Sequence, residues 1–503
     1  MIQGEYLTVK EMVAIEMNAE ALGVSTQLMM ENAGKAVANE ISNRFPCGSK
    51  IIAVSGLTGN GGDAFTAARL LACMGYRVES WILGDPQNIT LANSRVNYNA
   101  ISHMTESVQV RIFKDSSLIT PIKADVVIDG LIGTSLRGTL RPPFLQMVQH
   151  INASKAYKVS VDIPTGMEAD TGKIYGEAVK ADLVLTFHKP KTCYKHNPSA
   201  VKEVIPTSIG IPPEAELMVG PGDVYLVHPE RGSSSHKGMW GRLLVVGGSE
   251  TYSGAPLLSS MAAYRLGLDL VYTAVPETVA QAVMAYSPST ITCSLSGTRL
   301  TPDNLGQITP FLGKVDAVAI GPGLGVADDT VDAVHSLVKQ VAERELPLVL
   351  DADALKAYPE SDRFSAGSVV LTPHSREFKI LTGIDPVGSL ENRGETVKAA
   401  AEKLGGVVLL KGDVDIISDG EFTRFNLTGN PGMTVGGTGD VLTGLVGGYL
   451  AQKANPFNAA CTAAYLNGRA GDKVCKEKGY HLLPEDLLDE IPRIVENCLK
   501  HRV

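Results

Sequence analysis

The amino-acid sequence predicts an α/β protein with two doubly wound parallel-sheet domains. Three observations carry this. Short, continuous apolar runs recur along the chain, as in Ile51-Ile-Ala-Val54 and Val407-Val-Leu-Leu410, the pattern of strands buried on both faces. Helix-period stretches alternate with them. The 51 glycines cluster just after the apolar runs, where open α/β sheets place their ligand-binding turns.

Taken in order, the first ~20 residues read as a helix, with Met12, Ile15, Met17 and Leu22 on a loose apolar face. A second helix fits residues 26–44, with Leu28, Met29, Ala33, Ala36, Val37 and Ile41 inward. The period then changes. Strands are expected at 50–55, 78–83, 125–129, 158–162 and 183–187, and a helix at 64–74. Between residues 209 and 223 the pattern breaks into Ile-Gly-Ile-Pro-Pro-Glu and Val-Gly-Pro-Gly-Asp, which places a domain boundary near Leu217, with domains at 1–216 and 217–503. Alternation resumes with strands at 242–246, 270–275, 316–320, 346–350, 368–371 and 407–410. Helices fit 255–266, 331–344, 376–381, 395–403, 440–452 and 456–476.

Composition bounds the function. The 503 residues, 44% hydrophobic and 20% charged, suit roughly two to four folded domains. A net charge of -9 argues against broad nucleic-acid binding, which needs basic stripes. Seven scattered cysteines without CxxC spacing give neither a disulfide framework nor a zinc site, and point to a reducing cytoplasm. No apolar run reaches the ~20 residues of a membrane span, and Glu5, Lys10 and Glu11 interrupt any signal-peptide pattern.

Three strands of the first half end in polar, glycine-marked turns: Ser55-Gly-Leu-Thr-Gly-Asn-Gly-Gly-Asp63, Asp129-Gly-Leu-Ile-Gly-Thr-Ser-Leu-Arg-Gly-Thr139 and Asp162-Ile-Pro-Thr-Gly166. Strand carboxyl ends converge on one crevice in such sheets. Glycines admit an anion to the backbone N–H groups, and a helix start beyond Asp63 adds its dipole. Asn60, Asp129 and Thr165 each offer an oxygen to a hard cation. Singly, each turn reads equally well as a cap or a plain turn; together they point to a ligand site.

Asn60-Gly-Gly-Asp63, the strand ending in Asp129, and Asp162-Ile-Pro-Thr-Gly166 with Asp170-Thr-Gly172 resemble the N-terminal domain of NAD(P)H-hydrate epimerases, over residues 1–210. The resemblance implies a Rossmann-like, three-layer fold. It implies hydrate contacts at Gly59, Asn60, Gly61, Gly62 and Asp63, at Gly133, Thr134, Ser135, Leu136, Arg137, Gly138 and Thr139, and at Asp162. It also implies potassium on Asn60, Asp129 and Thr165, and acid/base catalysis by Asp162. The chain departs from the family pattern at Gly59, usually asparagine, at Thr58, usually glycine, and at Thr165, usually serine. A carboxylate here can exchange a proton or assist ring opening; the residues do not choose between the two.

In the second half, Asn430-Pro-Gly-Met-Thr-Val-Gly-Gly-Thr-Gly-Asp440 precedes an apolar helix. Backbone N–H groups of 436–439 form an anion cradle, and Asp440 beside it can take a proton from a hydroxyl attacking a phosphoryl group. The bland alternative is an N-capping aspartate. Gly247-Gly-Ser249, Tyr252-Ser-Gly-Ala-Pro256, Gly321-Pro-Gly-Leu-Gly325, Asp351-Ala-Asp353, Thr372-Pro-His374 with Glu377, and Lys411-Gly-Asp-Val-Asp415 end the other strands, and are expected to form one basic, glycine-lined mouth. With Lys237-Gly-Met-Trp-Gly-Arg242, these stretches resemble, in order, the ribokinase-like NAD(P)H-hydrate dehydratases. That resemblance implies hydrate contacts at Ala255, Gly323, His374 and Asp440. It implies nucleotide contacts at Lys411, Gly412, Asp413, Val414, Asp415 and Gly439, Mg2+ bridging the nucleotide phosphates, and Glu377 as an outer helper of that metal.

Together the halves resemble a bifunctional repair family. The substrates implied are hydrated NADH and NADPH (NADHX and NADPHX), with ADP as co-substrate, in a homo-oligomer. Two other classes share these features: a ribokinase-like small-molecule kinase, and a chain whose N-terminal half binds ligand without chemistry.

Overall fold

The computed structural model describes residues 4–357 and 368–500. The chain forms two compact units, Met1–Ala215 and Glu216–Val503.

The first unit is built on seven strands: β1 (Lys50–Ser55), β2 (Arg77–Leu83), β3 (Val108–Phe113), β4 (Val126–Gly130), β5 (Tyr157–Val161), β6 (Leu183–Phe187) and β7 (Val204–Thr207). Their order is β3-β2-β1-β4-β5-β6-β7, and every pairing is parallel. Chain order reverses between β1 and β4, so a crevice opens at their carboxyl ends. There the backbones are close: Gly56 N–H donates to Gly130 O at 3.0 Å, and a Cβ on Gly56 would lie 2.0 Å from Leu131 O. The core on one face joins Ile52, Val54, Trp81, Val127, Met147 and Ile151.

The second unit has nine strands: β8 (Arg242–Val246), β9 (Leu270–Pro276), β10 (Ile291–Leu295), β11 (Ala317–Ile320), β12 (Leu348–Leu350), β13 (Val369–Leu371), β14 (Val407–Leu410), β15 (Asp415–Ser418) and β16 (Thr423–Asn426). The order is β10-β9-β8-β11-β12-β13-β14-β15-β16, parallel up to β14 and antiparallel beyond. The reversal falls between β8 and β11, where Gly247 and Gly321 end their strands. Gly321 has φ +135°, and a Cβ there would lie 1.8 Å from Asp351 O. Helices Thr438–Ala451 and Pro456–Lys478 carry much of the core on one sheet face, with Val441, Leu445, Tyr449 and Leu466 fully buried. The opposite face is filled by Leu337, Val341, Phe378 and Val397.

The structure departs from the sequence reading at several points. Leu22 and Leu28, expected inward, are exposed: Leu22 is the C-cap of the first helix, and Leu28 lies in the first turn of the second. The helix expected at 64–74 spans Gly59–Cys73, so the glycine turn is its first turn. Likewise the helix expected from Asp440 starts at Thr438, with Gly437 at φ +107° as its N-cap. Strands β3, β7, β10, β15 and β16 escape a search for apolar runs. β3 and β10 are edge strands with polar residues along one side, β7 is an edge strand carrying Pro206, and the β15–β16 hairpin closes the other edge of the second sheet.

Candidate active sites

In the first unit the three turns meet at the carboxyl ends of β1, β4 and β5. Asp129, the penultimate residue of β4, is fully buried. Its Oδ2 accepts from Ser160 Oγ at 2.8 Å and Thr165 N–H at 2.9 Å, and its Oδ1 from Thr165 Oγ at 2.6 Å. Burial nevertheless raises its pKa, outweighing these bonds. Thr165 also receives Ile132 N–H at 3.0 Å. Asn60 donates to Val161 O at 2.8 Å, and a Cβ on Gly133 would lie 2.3 Å from its Oδ1. Asn60, Asp129 and Thr165 thus lie around the start of the Gly133 loop. Ser135, Leu136, Arg137, Gly138 and Thr139 line an adjacent cavity of about 680 Å³ with Thr58 and Leu131; Asn60, Asp63, Gly133, Thr134 and Asp162 are not on its wall.

Asp162 follows β5 directly, with φ +62°, a left-handed conformation uncommon outside glycine. One of its carboxylate oxygens is heavily used. Oδ1 accepts from Lys191 Nζ at 2.5 Å, Phe187 N–H at 3.0 Å and Thr186 Oγ at 3.1 Å; among the described residues no donor reaches Oδ2. Lys191 is only 1% exposed and donates also to Phe187 O at 2.9 Å. The Tyr194 hydroxyl ties down the Asp162 carbonyl at 2.6 Å. Two further carboxyls share this field. Asp63 is buried and its pKa is raised well above the carboxylate range, by burial and then by the charge of Asp162. Glu16, half-buried on helix Val9–Ala21, is pushed up to about 7 by burial, with Lys191 opposing. Sequence reasoning misses Lys191 and Glu16, because a lysine just past a strand and a glutamate on a loosely amphipathic helix both read as solvated groups. The available signal is position: Lys191 lies in His-Lys-Pro-Lys at the end of the buried β6.

In the second unit Lys411, Gly412, Asp413, Asp415, Gly439 and His374 line one cavity of about 620 Å³, together with Asn430, Thr434 and Thr438 of the glycine-rich stretch and with Thr428 and Asn467, which the sequence reading does not single out. Val414 is not on its wall. The expected basic mouth is corrected. The only lysine lining this cavity is ion-paired to Asp351 at 2.8 Å, and Asp413 and Asp415 stand beside it. Beside the paired lysine, the start of helix Thr438–Ala451 presents backbone N–H groups, a feature suited to an anion. His374 caps helix Ser375–Thr382: its Nδ1 accepts from Arg376 N–H at 3.1 Å and Glu377 N–H at 3.3 Å. Glu377 belongs to the same capping box: its Oε2 accepts His374 N–H at 2.9 Å, and its Oε1 lies 3.4 Å from His374 Nε2.

Ala255 and Gly323 lie together, since a Cβ on Gly323 would stand 3.3 Å from that of Ala255. Neither they nor Asp440 line the cavity. A link runs through Ser259, whose hydroxyl donates to Asp440 O at 2.7 Å and, in a longer contact of 3.4 Å, to Ala255 O. The Asp440 carboxyl is pushed up to about 7, by burial first and then by the charge of Asp351; Lys411 opposes and Asp353 adds. Asp351 is buried and holds its own charge. Burial alone would raise it, but Lys411 and hydrogen bonds from Thr372 and Thr443 keep it below the usual range.

The family model of NAD(P)H-hydrate dehydratases matches residues 243–493, and that of YjeF-related protein N-termini matches residues 26–193. A bifunctional NAD(P)H-hydrate repair enzyme of Hyperthermus butylicus is 42% identical over 99% of this chain and 93% of its own. The chain belongs to the bifunctional NAD(P)H-hydrate repair enzymes. Its counterpart in Pyrobaculum aerophilum is 43% identical over 98% of both chains. A ribokinase-like protein of Enterococcus faecalis is similar in structure, with a TM-score of 0.50, 26% identity, and cover of 56% of this chain and 96% of its own. An epimerase half and a dehydratase half are thus joined in one chain. Among the described residues no helix is long and apolar enough to cross a membrane.

Proposed function

We propose that this chain repairs hydrated NADH and NADPH in two crevices. The first interconverts the R and S hydrates; the second dehydrates the S hydrate with ADP as phosphoryl donor. The observation that carries the reading is Asp440. It lies one residue beyond the Gly439 wall of the cavity, at a helix start that presents backbone N–H groups, and burial pushes its carboxyl up to about 7.

Asp440 takes the proton of the C6 hydroxyl as its oxygen attacks the terminal phosphoryl group of ADP, and AMP leaves. A base with a pKa near working pH suits that step. The N–H groups at 436–439 and the helix dipole stabilise the transferring phosphoryl group. The N1 lone pair then expels phosphate, and loss of a C5 proton restores the dihydropyridine. Lys411, Gly412, Asp413, Val414 and Asp415 form the nucleotide edge, while Ala255, Gly323 and His374 bound the hydrate. Mg2+ bound with the nucleotide here would neutralise phosphate charge.

In the first crevice Asp162 is the base, its Oδ2 receiving no donor among the described residues. Asp63, whose carboxyl is pushed upward by burial and by the charge of Asp162, is the matching acid for opening and reclosing the ring at C6. Potassium fits Asn60, Asp129 and Thr165, each of which offers an oxygen to a hard cation. There it supplies fixed positive charge beside the hydrate loop. The same reading includes homo-oligomerisation and a reducing cytoplasm, where the seven unpaired cysteines are stable.

The test uses purified protein, Mg2+, K+ and the separated S and R hydrates, following return of reduced-nicotinamide absorbance with ADP, with ATP and with neither. Nucleotide-dependent recovery of both epimers is expected, with ADP the better donor. Recovery of S alone removes the epimerase assignment. A stable phosphorylated product without free phosphate replaces the dehydratase with a kinase.

A further inference from the structure

Asp351 lies at the carboxyl end of β12, 2% exposed, and belongs to none of the residue sets assigned above to hydrate or nucleotide. Its carboxylate joins three elements. Oδ1 accepts from Lys411 Nζ at 2.8 Å, at the end of β14, and from Thr372 Oγ at 2.8 Å, at the end of β13. Oδ2 accepts from Thr443 Oγ at 2.6 Å, on the helix that bears Gly439 and Asp440. Thr443 also lies 3.1 Å from Gly439 O, one turn back. The lysine at the nucleotide edge and the helix turn of the proposed base therefore hang on the two oxygens of one buried carboxylate.

We infer that Asp351 is a positioning residue of the dehydratase, fixing Lys411 against the nucleotide and the Asp440 turn against the hydrate. The inference rests on the reading of Asp440 as the base. The charged groups facing this cluster are Asp440 on helix Thr438–Ala451, Asp351 and Asp353 after β12, Glu377 on helix Ser375–Thr382, and Lys411 and Asp415 flanking the β14–β15 turn. Asp351 acts on both neighbours. Together with Glu377 and Asp440 it outweighs burial to hold Lys411 charged, and its negative charge helps to push the Asp440 carboxyl up to about 7. Its removal frees the lysine and lowers the pKa of Asp440.

The experiment is the nucleotide dependence and the pH profile of S-hydrate dehydration by the full chain carrying D351N. The nucleotide KM is expected to rise about tenfold or more. The acid limb is expected to move to lower pH by about one unit. A merely structural aspartate would lower the folded fraction but move neither quantity. Folded D351N with both unchanged overturns the inference. If D351N does not fold, T443V carries the test, since it deletes one hydrogen bond and no charge. It should lower kcat severalfold at unchanged nucleotide KM, and T443S should restore it; wild-type kcat in T443V overturns the inference. D440N is run in parallel. Full activity in D440N would remove the base itself, an outcome distinct from any result with D351N.

Discussion

Each unit holds an aspartate at a strand end, paired to a lysine from farther along the sheet, and the two pairs are used differently. In the first unit Asp162 and Lys191 lie 2.5 Å apart, the lysine 1% exposed, and among the described residues one oxygen of the aspartate receives no donor. In the second, Asp351 and Lys411 lie 2.8 Å apart, but both oxygens of Asp351 are engaged. There the free carboxylate is a separate one, Asp440, with a pKa near 7. A fully bonded carboxylate is an anchor. Chemistry needs a carboxylate with an oxygen to spare, and the two crevices supply it by different routes.

That contrast can be broken by substitution. D440N should lower S-hydrate dehydration about 10³-fold or more while R-to-S conversion persists, measured by separating the epimers by chromatography. D162N should do the reverse, reducing conversion by about 10²-fold or more with dehydration of pure S hydrate intact. K191M leaves a buried carboxylate without its partner. It should destabilise the first unit by about 3–5 kcal/mol, read from denaturant unfolding through the fluorescence of Trp81, which is buried in that unit.

The pH dependence separates the crevices further. With Asp440 as base, the rate of dehydration should fall tenfold per unit as pH drops below about 7. For stability the sign is opposite. A raised carboxyl pKa favours the fold at low pH, and that contribution is lost between the unfolded value, 3.8, and about 7. D440N should therefore raise the melting temperature of the second unit most above pH 7, with the gain vanishing toward pH 4. The smallest effect is expected from G59N. Nothing lies within 4 Å of where a Cβ on Gly59 would sit, so the family's usual amide fits; the KM for R hydrate should drop a few-fold.

The glycine turns and strand-end residues are legible in the sequence because they follow short, continuous apolar runs. Asp129, Asp162 and Lys411 emerge that way, and Asp440 emerges from the glycine-rich loop before an apolar helix. Lys191, Asp351 and Thr443 act through partners 29, 60 and 92 residues away, and no local pattern marks such a pairing. The basic mouth fails for the same reason: Lys411 counts as a free cation only while its neighbour Asp351 is out of sight. The edge strands escape for other reasons: in β3 the polar Gln109 and Arg111 interrupt any continuous apolar run, and β7 is only four residues long and carries Pro206.

The segment after residue 216 fixes where such a chain can be divided. Met218 bridges to Phe425, Val219 N–H donates to Phe425 O at 2.9 Å, and the Asp223 carboxylate pairs with Arg424, buried with it. These few residues cover the open edge of β16 and neutralise a guanidinium that has no access to water. A free-standing dehydratase cut from this chain therefore needs its new amino terminus ahead of Met218. A start beyond Asp223 would expose a strand edge to other chains and strand a positive charge inside the fold, and insoluble protein is the expected product. The boundary between two enzymes is here set by one arginine.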